Sequence, residues 1–464
     1  MPWNAMKSNR TELTATELDE AGLGVGTVAG VRVHVADLLP GESAEVAIDH
    51  RSPHKPEAWG HVLRRLGEAA RERTEPACPA FGRCGGCTWQ HVAYPAQLEA
   101  KHRRVELALA DILAIDQRGI TVGPVRPSPR VLGYRNKGKY VVGRSGPDGT
   151  HVVFGAYAPR THDVVDTLGC QVVAPIIDEV AAWARGSAES VGLVPYDEQT
   201  RTGELRYVIV REASGNVLVA LVVAPRTPRA KLEKLANAMS QHPTLAGLVV
   251  IENDRRDGAI IPAGSSAQVL IGHGYLVEQL AGVSVHVGAG EFLQVNREQA
   301  GAMYERVAEL AGDPSGDSAS PRVAVDLFSG VGGIALHLAR RFAHVYAVEI
   351  DEEAIAQLRR AKDQTSYELT AIAADAQSPG ALADKLQGAH VVVVNPPRKG
   401  LTDAARELVV AIGAPTVIYV SCGPETLGRD LVALAEHGYM PDVIEPFDLM
   451  PGTGQVETVV RLRR

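Results

Sequence analysis

The stretch "VDLFSGVGG", residues 325–333, is an apolar run that ends in glycines at 330, 332 and 333 and leads into "GIALHLARRF" at helical spacing. It reads as a strand, a turn in which Gly330 and Gly333 let the backbone approach a ligand, and the start of a helix. Around it, "HVYAVEI", "LTAIAADA", "HVVVVNPP" and "PTVIYVSC" are further short apolar runs, separated by helix-like segments such as "DEEAIAQLRRA". Strands alternating with helices predict a parallel, doubly wound α/β sheet over residues 289–464, with a Gly/Ser/Pro-rich loop at 312–321 just before its first strand.

Ligands of such sheets sit outside the carboxyl ends of the strands. Some twenty residues past the turn, "AVEID" ends the second strand with Glu349, placed to accept hydrogen bonds from ribose hydroxyls, and "AADA" offers Asp375 to an adenine edge. The turn lacks the G-x-G-x-x-G spacing suited to a pyrophosphate, so S-adenosylmethionine fits better than a dinucleotide. The fourth strand ends in "NPPRKG", and Asn395 followed by two prolines is the arrangement of enzymes that methylate exocyclic amino groups. Those enzymes place an aromatic residue next, where this chain has Arg398.

The fifth strand leads into "SCGPETLGRD" and one thiol, Cys422. Amino methylation needs no thiol. Methylation of carbon 5 of a pyrimidine does, because a thiolate added at carbon 6 makes carbon 5 nucleophilic, and a base must then remove the hydrogen from carbon 5. Cys422 supplies the nucleophile, and Glu457, just before the predicted last strand, is the candidate base. A free thiol titrates near about 8.5, so the following helix start or a nearby cation is expected to lower that value.

The rest of the chain bounds the setting. Its 464 residues suggest two or three domains, and 45% apolar content suffices to pack them. No apolar stretch is long enough for a membrane span and the first residues do not resemble a signal peptide, so a cytoplasmic protein is expected. Nothing calls for an obligate protein partner. Residues 1–66 read as a small β-barrel: "GTVAGVRVHVADLLPGESAEVAIDH" alternates apolar and polar residues and breaks at a Pro-Gly turn. Residues 67–288 mix strand-like runs, among them a hairpin at 205–225, with a basic stretch. The net charge of −8 argues mildly against a polyanionic partner, but from Arg71 to Arg144 thirteen Lys/Arg face six Asp/Glu. A charge run is usually a solvated face; this one flanks a cysteine cluster, which favours a nucleic-acid footprint. The cluster "CPAFGRCGGC" gives Cys78, Cys84 and Cys87, and Cys170 is the one remaining cysteine besides Cys422. Four thiolates hold either zinc or an iron–sulfur cluster, and spacing does not choose between them.

Taken together, "LPGE", "GGCTWQH", "YRNK", "YAPRTHDVVD", "FLQVN", "VDLFSGVGG", "NPPRKG", "SCGPETLGRD" and "VETVVRL" resemble, in order and over nearly the whole chain, the RNA 5-methyluridine methyltransferase family (TrmA/RumA type), specifically members with an N-terminal TRAM barrel and a 4Fe-4S cluster. The resemblance implies that Cys78, Cys84, Cys87 and Cys170 hold the cluster, that Cys422 is the nucleophile and Glu457 the base, and that Gln294, Phe328, Gly333, Glu349, Asp375 and Asn395 lie at the S-adenosylmethionine site. It implies three parts: a TRAM-like barrel (1–66), a central α+β iron–sulfur and RNA-contacting domain (67–288) and a Rossmann-like class I methyltransferase domain (289–464). It also implies that the helix around 97–115 rests on the catalytic domain. Most of the family has Asp where Asn395 stands; some members that modify ribosomal RNA carry Asn there, a similarity that slightly favours 23S rRNA over tRNA. Ser329 stands where many members have another Cys. Two other readings remain open from the residues: an amino-directed nucleic-acid methyltransferase using Asn-Pro-Pro, and a non-catalytic RNA-binding iron–sulfur protein.

Overall fold

The computed structural model describes residues 9–464 except 117, 146–150, 160, 257, 258, 263, 313–321, 379 and 381. The loop expected at 312–321 therefore lies, beyond Gly312, outside the described residues.

The C-terminal sheet has seven strands, labelled here within it as β1 (Val323–Leu327), β2 (His344–Glu349), β3 (Leu369–Ala373), β4 (Val391–Val394), β5 (Thr416–Ser421), β6 (Met440–Phe447) and β7 (Glu457–Arg463). Their spatial order is β3-β2-β1-β4-β5-β7-β6. The first five pair in parallel, as their apolar runs predict, and β7 enters antiparallel between β5 and β6. Side chains alternate between two cores: Ala324, Val393 and Ile418 face one, Val325, Val392 and Tyr419 the other. Being covered on both faces is why these strands are continuously apolar. The result is a Rossmann-like α/β domain.

Ahead of it, six strands between Arg10 and Leu66 form one sheet. The sheet curls on itself, since a Cβ at Gly26 would meet the carbonyl oxygen of Thr14 at 2.3 Å. A second seven-stranded sheet spans Lys137–Gly272. It includes the hairpin Leu205–Ala213 with Asn216–Val223, turned at Ser214 and Gly215, both at positive φ. One boundary differs from expectation. The hairpin Tyr275–Leu280 with Val283–Gly288, assigned from sequence to the central part, buries Leu280, Val283, Val285 and Val287 in the core of the C-terminal domain. Alternation marks a strand but does not say which neighbour covers its apolar face.

Helices Tyr94–Ala108 and Ala110–Ile115 dock on the C-terminal domain through Val105, Leu109 and Ile112. Close approach to helix Pro424–Ala435 depends on Gly428, where a Cβ would lie 2.2 Å from the Ala108 carbonyl oxygen. The dock is fixed by a fully buried ion pair, Lys101 Nζ to Asp448 Oδ1 at 2.6 Å, and Nζ also donates to the Met450 carbonyl at 3.1 Å. Burial opposes the charge on Lys101, and Asp448 supports it. Removing one partner leaves an uncompensated buried charge, so Lys101→Met is expected to lower stability by about 3–5 kcal/mol, and Lys101→Met with Asp448→Asn to recover part of that loss, in guanidinium unfolding.

Candidate active site

The strand ends and the turn converge on one cavity of about 570 Å³. It is lined by Gln294, Phe328, Gly330, Gly333, Glu349, Asp375, Asn395, Cys422 and Glu457, which are all the cofactor-site and catalytic candidates read from sequence. They come from seven different places in the chain: the carboxyl ends of β1 to β5 and the start of antiparallel β7 lie on the same side of the sheet, and the segment carrying Gln294 joins them there.

The turn after β1 is tightly wound. Phe328 sits at φ 64, unusual for a bulky residue, and Gly330 and Gly332 at φ 53 and 88. At Gly332 a Cβ would strike Leu358 at 2.2 Å, and at Gly333 it would strike Tyr304 at 2.6 Å. At Gly330 only the Phe292 carbonyl oxygen lies within reach, at 3.9 Å, so the backbone there stays open to the cavity. Glu349 ties the turn to the end of β2: its carboxylate accepts from the Gly330 amide at 2.9 Å and from the Ile350 and Asp351 amides at 2.8 and 2.9 Å. Asp375 accepts from the Gln377 amide at 2.8 Å. Both carboxylates keep lone pairs for a bound hydroxyl or amine. At the rim, Phe292 and Ile350 are 67% and 65% exposed, large apolar surfaces of the kind a planar ligand covers.

On the other side of the cavity stand Cys422, Glu457 and Arg398. Cys422 lies between β5 and the helix that starts at Pro424. Glu457 is the first residue of β7, one step inside the strand it was expected to precede. Its carboxyl is buried and pushed up to about 7 by desolvation, opposed by Gln294, whose Nε2 donates to Oε1 at 3.3 Å, and by the Arg398 charge. The lowering expected for Cys422 is not what the geometry gives. Burial, and then the Glu457 carboxylate, raise the thiol above its ordinary value, while Arg398 pulls it down both by charge and by a side-chain hydrogen bond.

The Arg398 charge thus acts on both Cys422 and Glu457, an influence that sequence reasoning missed. The signal was there in "NPPRKG", an arginine where amino-directed enzymes carry a ring. Its backbone hangs on the helix behind Cys422: Thr426 Oγ1 donates to the Arg398 carbonyl at 3.2 Å and Arg429 Nη2 to the Lys399 carbonyl at 2.9 Å. Buried Asp430 accepts from the Leu401 amide and the Tyr419 hydroxyl, each at 2.7 Å.

The four remaining cysteines also meet. Cys78, Cys84, Cys87 and Cys170 line a separate cavity of about 370 Å³, together with Arg135 and Lys139. Burial, with the neighbouring thiols, pushes Cys84 up and Cys87 up to about 11. Among the described residues, however, no three His, Cys, Asp or Glu side chains are arranged to hold a metal ion. The four thiols stand around one space and do not form a converged ligand set.

Comparison with known proteins finds similarity to RNA methyltransferases. The model of the tRNA (uracil-5-)-methyltransferase family matches residues 380–464, which include Cys422 and Glu457. That of the RNA cap guanine-N2 methyltransferases matches 321–406, which includes Asn395 but stops before the thiol. An uncharacterized RNA methyltransferase of Halalkalibacterium halodurans is 32% identical, over 98% of this chain and 97% of that protein. One of Listeria monocytogenes is 29% identical, over 100% and 99%. The crystal structure of the Pyrococcus abyssi tRNA (uracil-54, C5)-methyltransferase in complex with S-adenosyl-L-homocysteine superposes with a TM-score of 0.73 at 23% identity, covering 97% of this chain and 100% of that one, and so shares the fold.

Proposed function

The chain belongs to the RNA (uracil-5-)-methyltransferase family, and from its active site we propose that it methylates carbon 5 of a uridine in structured RNA through a covalent bond between Cys422 and carbon 6 of the uracil. The observation that carries this is the grouping of thiol, buried carboxyl and arginine in one cavity with the glycine turn. S-adenosylmethionine would be held by the Gly330–Gly333 backbone, Glu349 and Asp375, with Phe328, Gln294 and Asn395 beside it, and would supply the methyl group.

The chain's own residues do the rest. Cys422 loses its proton to solvent and adds to carbon 6 as the thiolate, and Arg398 stabilises that thiolate and opposes the negative charge that then develops on the ring. Glu457, poised near neutrality, removes the hydrogen of carbon 5 after the methyl group has arrived, and the thiolate leaves as the double bond re-forms. Gln294 holds the Glu457 carboxyl in place. Presence of the thiol argues against an amino-directed reaction, in which Cys422→Ala would keep most activity.

Incubating RNA with enzyme and methyl donor, then digesting it for nucleoside mass spectrometry, should show 5-methyluridine increasing; another product, or none, overturns the proposal. Because Asn395 replaces Asp, the expected target is ribosomal RNA, and loss of 5-methyluridine confined to tRNA in a deletion strain would refute that choice. For the second cavity we propose a 4Fe-4S cluster held by Cys78, Cys84, Cys87 and Cys170, its negative charge offset by Arg135 and Lys139, with a structural and RNA-positioning role. Protein purified without oxygen should be brown and contain iron. Colourless, zinc-loaded protein from iron-replete cells would exclude the cluster.

A further inference from the structure

A groove of about 1010 Å³ in the central part of the molecule lies outside both sites. Its floor is Tyr207, and Tyr157 and Tyr196 stand half-exposed on its walls. Between the rings of Tyr196 and Tyr207 lies the Arg206 guanidinium, 4.7 and 5.7 Å from their centres. Arg206 is nearly fully buried and saturated: its Nη2 reaches both Glu198 oxygens at 2.8 and 2.9 Å, and it donates to the Asn253 and Arg255 carbonyls at 2.9 and 3.1 Å. The aromatic platform is thus rigid before anything binds. At the rim, Arg201, Arg226 and Arg256 are exposed and make no ion pair among the described residues. Counting Arg206 and Arg255, five arginines and only two carboxylates, Glu198 and Asp254, line the groove, and Glu198 is committed to Arg206.

We propose that this groove binds a single-stranded segment of the substrate RNA, with bases stacked on Tyr157 and Tyr196 and phosphates against Arg201, Arg226 and Arg256. Rings flanked by cations suit unpaired bases, whereas a duplex would present phosphates alone and leave the tyrosines idle. Position supports the assignment. Tyr207 and Arg211 project from the same face of strand Leu205–Ala213, roughly 13 Å apart at strand rise. Arg211 donates to the Glu291 carbonyl at 2.8 Å, immediately before Phe292 at the mouth of the catalytic cavity. The groove and that mouth are therefore linked along one strand, and RNA in the groove flanks the uridine being methylated. This rests on the chain's acting on RNA as proposed above.

The test uses the full-length protein, a short single-stranded oligouridylate and no methyl donor, so that its outcome is independent of whether uracil is methylated. Arg201→Glu/Arg226→Glu/Arg256→Glu should weaken binding at least about tenfold and reduce the log–log salt slope by about 2. Ultraviolet crosslinks of wild-type protein should map to peptides carrying Tyr157 or Tyr196. In methylation assays the same variant should raise KM with little change in kcat. Unchanged affinity and salt slope, crosslinks confined to the catalytic cavity, or equal competition by duplex RNA would each overturn the proposal. Absence of uracil methylation by a wild-type enzyme that still binds oligouridylate here would instead sink the reaction and leave the groove standing.

Discussion

Protein carrying Cys422→Ala should bind its RNA normally and transfer no methyl group, a loss of at least about 10³-fold. The size of the effect follows from the chemistry: without a thiolate at carbon 6, carbon 5 never becomes a nucleophile, and no other residue of the cavity can replace sulfur. Glu457→Gln separates the two halves of the reaction. It leaves Cys422 and Arg398 in place, so the thiol still adds and the methyl group still arrives, but the hydrogen of carbon 5 has no base to receive it. Enzyme and methylated RNA should then remain joined, visible on a denaturing gel as a slow band carrying label from the donated methyl group. Gln also preserves a hydrogen-bonding group opposite Gln294, which stands 3.3 Å from the carboxyl it supports. A labelled slow band with Cys422→Ala, or free product released by Glu457→Gln at the wild-type rate, would reverse the two assignments.

What could be seen in the sequence follows a physical pattern. β1 to β5 were legible because parallel strands buried on both faces must be apolar throughout, and "VVVV" of β4 is the extreme case. Once the strands are placed, topology alone brings Glu349, Asp375, Asn395 and Cys422 to one side, since ligands collect at strand carboxyl ends. Electrostatics was less legible. The helix start after Cys422 suggested a lowered thiol, but how deeply Glu457 is buried beside it depends on antiparallel β7 entering the sheet. Lys101 and Asp448 are remote in sequence, and nothing in "QLEAKHRRV" shows that its lysine would be buried. The groove around Arg206 was also invisible, for its tyrosines and arginines come from separate segments between 157 and 256. The basic stretch noticed from Arg71 to Arg144 stops short of it.

Arg398→Gln should move the pH profile. Both reacting groups must be deprotonated to act, the thiol for addition and Glu457 for hydrogen removal. Burial pushes both upward, Cys422 above its ordinary value and Glu457 to about 7, while Arg398 alone among the charged neighbours pulls both down. Removing its charge and its hydrogen bond therefore raises both groups, the thiol more, since it loses two favourable interactions. The rising limb of log(kcat/KM) against pH should shift to higher pH, and activity near neutrality should fall by roughly 10- to 150-fold, the equivalent of one charge-assisted hydrogen bond at about 1.5–3 kcal/mol. Raising the pH should restore part of the loss, which a folding defect would not show. Arg398→Lys keeps the charge but not the planar fork, so its limb should lie between those of wild type and Arg398→Gln. Arg398 is exposed and its loop is held by backbone contacts to Thr426 and Arg429, so neither substitution should change the unfolding midpoint. A profile for Arg398→Gln that superimposes on that of wild type would show that the thiolate is stabilised elsewhere, by the bound RNA or by the amides ahead of the helix at Pro424.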